Sequence, residues 1–483
     1  MTKKQALRFT AFVLLAGLMI LAFAQLLRDR ETTLSSFYSE PKGTVEAIVV
    51  GSSHVNSGVM PAALWQEYGI NAHNVFSWSQ PMWISYYYIQ EALKTQTPKV
   101  VVLDLYGAMY GNSNEQPVEI DKVNYANSFS IDIGLNYFRM LQTVKNCGID
   151  LRNPVDFMNI VRYHTRWKYL DAHALTYNAH NDESYLKGFG PLFGVKPCAA
   201  PDLSVNAAPR MPYDTALHWL DKIVQLCKNK KIPLVFTMLP YQAAPSEREV
   251  FAYLREYAQQ NDIAFFNYCE ADGERIGFNY ATDMADEGHV NYHGAYKLTR
   301  DLGAYLQENV AFSLPETLPN APALSKSAAQ VYRVFEANEN LFTEMNALLN
   351  WLKNDKNTVL LMAHSGKSGQ QTALCEALAR AGAETPGHAQ GEGRGYTAMM
   401  ENGQWTKGVQ TWQSAEGWQF ALAANETSAS ITLDGIAADY PKDAVAVFAI
   451  YDKILARPTF YFTCEKDQFV FKNYPAKLKN PHS

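Results

Sequence analysis

The sequence predicts an α/β fold, a parallel sheet flanked by helices, with an apolar N-terminal helix before it and a smaller α/β domain after it. Three observations predict this. Short apolar runs alternate with helical stretches from Val45 to Asn309. An uncharged run from Phe9 to Leu27 opens the chain. A Pro-rich polar stretch, Leu314 to Lys326, divides the remainder. The 483 residues suit two or three domains.

The elements follow in order. Lys3, Lys4 and Arg8 precede the apolar run, which at 1.5 Å per residue is long enough to cross a bilayer core. The leading charges favour a cytoplasmic N-terminus. The reading is a single-pass signal anchor over residues 1–30 with the bulk of the chain extracytoplasmic. Ala22-Phe23-Ala24 keeps a cleavable signal peptide as the competing reading. Val45–Val50, Ala72–Val75, Val100–Leu105, Leu234–Met238 and Ala264–Phe266 read as strands. Trp83–Leu93, Tyr213–Lys228, Glu247–Gln260 and Tyr292–Asn309 read as helices, the last with Ala295, Leu298, Leu302 and Leu306 on one face. Strands alternating with helices imply right-handed crossovers in one parallel sheet. Residues 31–313 form this domain, with an insertion at about 111–211 that breaks the rhythm. Residues 314–326 read as a linker. Residues 327–483 form the second domain, with a helix at Val331–Leu352, a strand at Thr358–Met362 and a helix at Gln371–Ala381. Strands follow at Ile431–Leu433, Val445–Tyr451 and Thr459–Thr463.

Composition excludes some functions. A net charge of -6 leaves no basic footprint for nucleic acid. Aromatics at 13% suit a large core, and carbohydrate-handling surfaces as well. The six cysteines contain no C-x-x-C pair, so no zinc or redox motif is read and no metal or cofactor is expected. A Cys147–Cys198 bridge is left open.

The first strand runs into Gly51-Ser52-Ser53-His54. In an open α/β sheet, ligands bind outside the carboxyl ends of the strands. A serine there can expose its hydroxyl to a crevice, although a Gly-Ser turn capping a helix has the same sequence. Asp286-Glu287-Gly288-His289 lies just before the last helix of the domain. A serine hydroxyl needs a base to take its proton, and an imidazole needs a carboxylate to fix its tautomer. A D-x-x-H segment supplies both, though it also occurs by chance.

Taken together, the two segments resemble the SGNH/GDSL hydrolase superfamily, a flavodoxin-like fold whose first block is a G-D-S or G-S-S turn and whose last is D-x-x-H. The resemblance implies that Ser53 is the nucleophile, His289 the base and Asp286 its orienting acid. The flanks V-V-G-S-S-H-V and H-V-N-Y-H-G-A-Y-K-L-T resemble the envelope branch near DltD and the alginate O-acetyltransferase proteins. They imply an esterase or O-acyltransferase acting on O-acetyl groups of a cell-surface polysaccharide, with a membrane-bound acyltransferase as a partner. The alternative is a non-catalytic polysaccharide-binding or assembly protein on the same scaffold. The superfamily's second glycine and its G-x-N-D asparagine are absent; Asn112 is out of register. The oxyanion hole would then use the Ser53 N–H with Ser77, Ser79 or Gln80. His54 and Arg166 are weaker substrate candidates, Arg166 within the dense run Tyr163-His164-Thr165-Arg166-Trp167. His289 and His293 have a metal-like spacing without a third ligand. In the second domain, Asn340–Met362, Gly395–Met399 and Val447–Lys453 resemble the interleukin-like EMT inducer (ILEI) domain, implying a glycan- or partner-binding role. His364-Ser365-Gly366 reads as a strand-to-loop turn.

Overall fold

A computed structural model describes residues 2–27, 34–112, 115, 164–169, 186–203, 207–341, 345–367, 372–383, 395–415, 417–437, 444–465 and 468–472. Most of the expected insertion lies outside them.

The first sheet is parallel. Its strands are β1 Ala47–Gly51, β2 Ala72–Phe76, β3 Val100–Asp104, β4 Leu234–Met238 and β5 Ala264–Asn267, in spatial order β2-β1-β3-β4-β5. β1 is buried along its whole length. Its alternate residues feed two cores, Ala47 and Val49 on one face and Ile48 and Val50 on the other. This is why the run is apolar without alternation. The strand order reverses between β1 and β3, so the crevice at their carboxyl ends is the topological switch point. The helix start read at the Gly-Ser turn forms at Ser53–Gly58, and a further helix, Pro61–Tyr68, follows it. The expected helices form at Met82–Ala92, Asp214–Lys230, Pro245–Gln260 and Tyr292–Asn309.

The second unit is built on antiparallel sheets, a finding the sequence reading left unspecified. Strands β6 Thr358–His364, β7 Tyr396–Glu401, β8 Gln404–Lys407, β9 Thr411–Gln413, β10 Gln419–Ala424, β11 Ala429–Leu433, β12 Ile436–Ala437, β13 Ala446–Asp452, β14 Arg457–Glu465 and β15 Gln468–Lys472 form two sheets. Their orders are β15-β14-β13-β6-β7-β8 and β12-β11-β10-β9. Val359, Leu361, Val447 and Ala449 face Phe420, Leu422, Ile431 and Leu433 of the smaller sheet. Leu360, Met362, Phe448 and Ile450 face the other way, into the core shared with the parallel unit.

The stretch 314–326 is not an open tether. A short turn at Pro315–Thr317 leads into the helix Ala321–Leu341. Proline is tolerated in the first turn of a helix, where the missing N–H costs no hydrogen bond, so the composition that suggested a linker also suits a helix start. Leu318, Leu324, Ala328 and Val331 are buried. Trp65 donates to Ser325 at 3.1 Å and Tyr332 to Glu67 at 2.8 Å. Phe193 and Phe460 meet edge-on at 4.9 Å. The units therefore share one interface.

Residues Lys3–Leu27 are helical, with Leu7, Phe9, Phe12, Leu14, Leu15, Leu18 and Met19 exposed. Among the described residues no helix is long and apolar enough to cross a membrane. The side chains of residues 21, 24 and 25 lie outside the described set. The expected spanning helix therefore finds no support among the described residues.

Candidate active site

Ser53 is the first residue of the helix Ser53–Gly58, immediately beyond the end of β1. Ser52 caps that helix, its hydroxyl accepting from the His54 N–H at 3.3 Å. The capping role foreseen for the Gly-Ser turn thus falls to Ser52, and Ser53 Oγ is left for other use. The Ser53 N–H belongs to the first turn, where a helix offers no acceptor of its own.

The opposite wall is the loop before the helix Tyr292–Asn309. Asn291 caps this helix by accepting from the His293 and Gly294 N–H groups, both at 3.1 Å. Its amide donates back to the Thr282 carbonyl at 2.8 Å. Asp283, fully buried, accepts from His293 Nδ1 at 2.9 Å and Lys297 Nζ at 2.7 Å. Burial works to raise the Asp283 carboxyl, but these bonds and the Asn279 N–H hold it below the usual range. Met284 and Val290 pair across the loop, closing it into a tight turn. From the side, the Tyr292 N–H donates to Leu192 O at 2.7 Å and the Lys196 N–H to Met284 O at 2.9 Å.

This frame brings Ser53, His289 and Asp286 together. His289 Nε2 lies 2.8 Å from Ser53 Oγ. His289 Nδ1 lies 2.9 Å from Asp286 Oδ1 and 3.1 Å from Oδ2. A carboxylate only accepts, which assigns the proton to Nδ1 and the lone pair to Nε2. Nε2 can then accept from the serine hydroxyl. Asp286 also accepts from the Gly288 N–H at 2.8 Å. Burial pushes its carboxyl up, but His289 and these N–H groups outweigh that and hold it below the usual range. The His289 and Asp286 side chains are 30% and 47% exposed, so the chain of bonds opens to solvent.

His54 faces inward. It is buried, stacked on Tyr106 at 3.8 Å, and meets the His289 ring edge-on at 5.5 Å. Its Nδ1 has no hydrogen-bond partner. Burial, and then the neighbouring His289, holds it well below the usual histidine range, against a smaller opposing effect of Asp286. It is a wall behind His289 and not a surface that a substrate can reach. Asp104, at the end of β3, was not anticipated. It is buried, accepts from the Leu239 N–H at 3.0 Å and the Tyr106 N–H at 3.3 Å, and burial pushes its carboxyl up to about 7. The sequence signal was a charged residue ending an apolar strand.

The other candidates separate from the nucleophile. Ser77 Oγ donates to Gln80 Oε1 at 2.9 Å, and Gln80 Nε2 donates to Ser85 Oγ at 3.0 Å. Both side chains are buried and hydrogen-bonded to each other. Ser79 is held in the left-handed region at φ 48° and bonds to Tyr110. Asn112 donates to Thr215 at 2.7 Å. Arg166 lies in the 3₁₀ turn His164–Tyr169, with its side chain outside the described residues, as is Tyr163. Cys198 is a free thiol, and Cys147 lies outside the described residues. No cluster of metal-ligating side chains occurs among the described residues.

Comparison with known proteins returns no matching family model and no matching curated protein. Among solved structures the chain is similar to a GDSL-like lipase from Bacteroides thetaiotaomicron, at 14% identity over 55% of this chain and 88% of that one, with a TM-score of 0.26. It is also similar to a putative acylhydrolase from Bacteroides fragilis, at 13% identity over 58% of this chain and 96% of that one, with a TM-score of 0.27.

Proposed function

We propose that this chain is an SGNH-type serine esterase or O-acyltransferase acting on ester groups of a cell-surface polysaccharide. The observation that carries the reading is the continuous bond from Ser53 Oγ through His289 to Asp286 at the switch point of a parallel sheet. Ser53 Oγ attacks the acyl carbonyl while its proton passes to His289 Nε2. Asp286 stabilises the imidazolium. Collapse of the tetrahedral intermediate expels the alcohol, which takes the proton back from His289 and leaves the acyl group on Ser53. Water then makes the chain an esterase, and a sugar hydroxyl makes it a transferase.

The exposed apolar helix Lys3–Leu27 favours tethering to a membrane, with the site on the extracytoplasmic side and a membrane-bound acyltransferase as acyl donor. The second unit, with its resemblance to ILEI domains, would hold glycan or partner. A non-catalytic binding role on the same scaffold is favoured by one observation, the closure of Ser77 and Gln80 on each other.

One experiment separates the two. Incubation with an activated acetyl ester, followed by intact mass and peptide mapping, is expected to yield an acetyl adduct on Ser53 that is absent from Ser53→Ala. Neither adduct nor turnover in the unmodified chain would overturn the enzymatic reading.

A further inference from the structure

The two walls of the site are joined by one segment, residues 188–198, which has neither helix nor strand. On the nucleophile's side it meets Asn56, three residues along the helix that Ser53 begins. The Gly190 N–H donates to the Asn56 carbonyl at 2.8 Å, and the Asn56 amide donates to the Gly188 carbonyl at 2.9 Å. The approach is close: a Cβ at Gly190 would lie 2.5 Å from Asn56 Oδ1. On the base's side the segment crosses the loop that carries His289. The Tyr292 N–H donates to the Leu192 carbonyl at 2.7 Å, the Lys196 N–H to Met284 at 2.9 Å and the Cys198 N–H to Tyr280 at 2.9 Å. The segment is therefore a strap across the site, tied to the Ser53 helix at one end and to the His289 loop at the other. Its course bears on how far apart Ser53 and His289 stand.

A strap without ladder bonds needs a side-chain anchor, and Phe193 supplies one at its middle. Phe193 is buried, with its ring 5.3 Å from Tyr292 and edge-on to Phe460 at 4.9 Å. Phe460 also meets Tyr292 edge-on at 5.7 Å. The three rings close a triangle. Phe193 comes from the strap, Tyr292 from the first residue of the helix that follows the catalytic loop, and Phe460 from β14 of the antiparallel unit. Edge-on contact is an arrangement that ring quadrupoles favour. Phe460 is buried, so it acts on the site only through its neighbours.

We propose that Phe460 is a positioning residue, through which the antiparallel unit pins the strap and sets the Ser53–His289 distance. The second unit is then part of how the site is built. Misplacing a reacting group by about 1 Å costs about a hundredfold in rate. The proposal rests on the reading of Ser53 and His289 as catalytic, and its test separates the two.

The full chain is compared with Phe460→Ala, Phe460→Leu and Leu324→Ala, the last a truncation in the same core on the helix that joins the units. Thermal unfolding measures how far each variant is destabilised. Hydrogen–deuterium exchange in peptides covering residues 283–292 should quicken about tenfold or more in Phe460→Ala, less in Phe460→Leu and not in Leu324→Ala. Turnover of p-nitrophenyl acetate by Phe460→Ala should show kcat lowered about 10- to 100-fold with KM within about twofold, because the residue reaches no substrate. Should Phe460→Ala not fold, Phe460→Leu carries the same test at smaller amplitude. The proposal is overturned if the Phe460 variant leaves the exchange unchanged, if it leaves kcat unchanged in a chain that turns over, or if Leu324→Ala moves both as far. If the exchange responds as expected while the unaltered chain turns nothing over, the pinning stands and the catalytic reading falls.

Discussion

At the carboxyl ends of β1 and β3, Ser53, His289 and Asp286 form an open chain of hydrogen bonds. In the antiparallel unit a second carboxylate network, Arg333 with Asp355 and Asp452, is mostly buried. Arg333 donates to Asp355 and to Asp452, each at 2.7 Å, and Asp452 is 1% exposed. Asp452 also accepts from the Ile454 and Leu455 N–H groups at 2.9 and 2.8 Å. Burial raises its carboxyl, with Arg333 opposing. Both groups are connected carboxylate networks, and the difference between them is access. A network that chemistry uses keeps an edge in solvent and a nucleophile at its end. The network around Asp452 has no nucleophile at its end, and its carboxylates are almost wholly buried.

The strongest way to break that comparison is Asp286→Asn. The amide can donate to His289 Nδ1 as well as accept from it, so the tautomer that leaves Nε2 free is no longer enforced. Turnover of an activated acetyl ester should fall about 10³–10⁴-fold, while Tm shifts by less than about 2 °C. Stopped-flow kinetics and calorimetry on the same preparation check both halves. A large drop in Tm with little loss of rate would place Asp286 with the buried kind.

Arg333→Met should do the reverse. It strands Asp452 in the interior, where removing one partner of a buried pair costs about 3–5 kcal/mol. Because Arg333 sits on the helix that joins the two units, its loss is felt at their interface. Denaturant unfolding should show the cost, and kcat/KM of the protein still folded should change by less than about threefold. Adding Asp452→Asn should recover part of the stability, since the uncompensated charge is then gone. A loss of rate as steep as that of Asp286→Asn would erase the distinction between the two networks.

The same contrast explains what could be read from sequence. β1, β3, β6 and β13 are covered on both faces, so their runs are apolar apart from residues such as Thr358, His364, Asp104 and Asp452 at the strand ends, and they stand out. β8 is mostly exposed and β10 alternates between buried and exposed positions, the exposed ones including Ala421 and Ala423, so neither reads as a continuous apolar run. Ser53 and the Asp286–His289 loop were legible because each is a local turn with its own chemistry. The Ser77–Gln80–Ser85 hydrogen bonds are not legible in the sequence, because no spacing announces which side chains meet. The stretch 314–326 was misread because proline at a helix start and proline in a tether look alike.

The smallest expected effect concerns a buried histidine away from both networks. His73 donates from Nδ1 to the Asn74 carbonyl at 2.9 Å, and its Nε2 lies 3.3 Å from Ser36 Oγ. Burial, with Lys187 nearby, pushes it down to about 3 from an ordinary 6.5. The native protein therefore holds His73 neutral across a pH range in which the unfolded chain protonates it. The unfolded state binds the extra proton, so the contribution is fully present above about pH 6.5 and is lost as pH falls toward 3. One proton changes stability by at most about 1.4 kcal/mol per pH unit. His73→Gln keeps a donor for Asn74 and an acceptor for Ser36 but cannot titrate. The slope of unfolding free energy against pH between 6 and 5 should accordingly flatten by about one proton. His364, pushed down to about 4 by burial in the antiparallel unit, has the same sign, so both units should weaken in acid. If His73→Gln leaves the slope unchanged, His73 is protonated in the native state and the polar residues around it bear charge that the fold was taken to exclude.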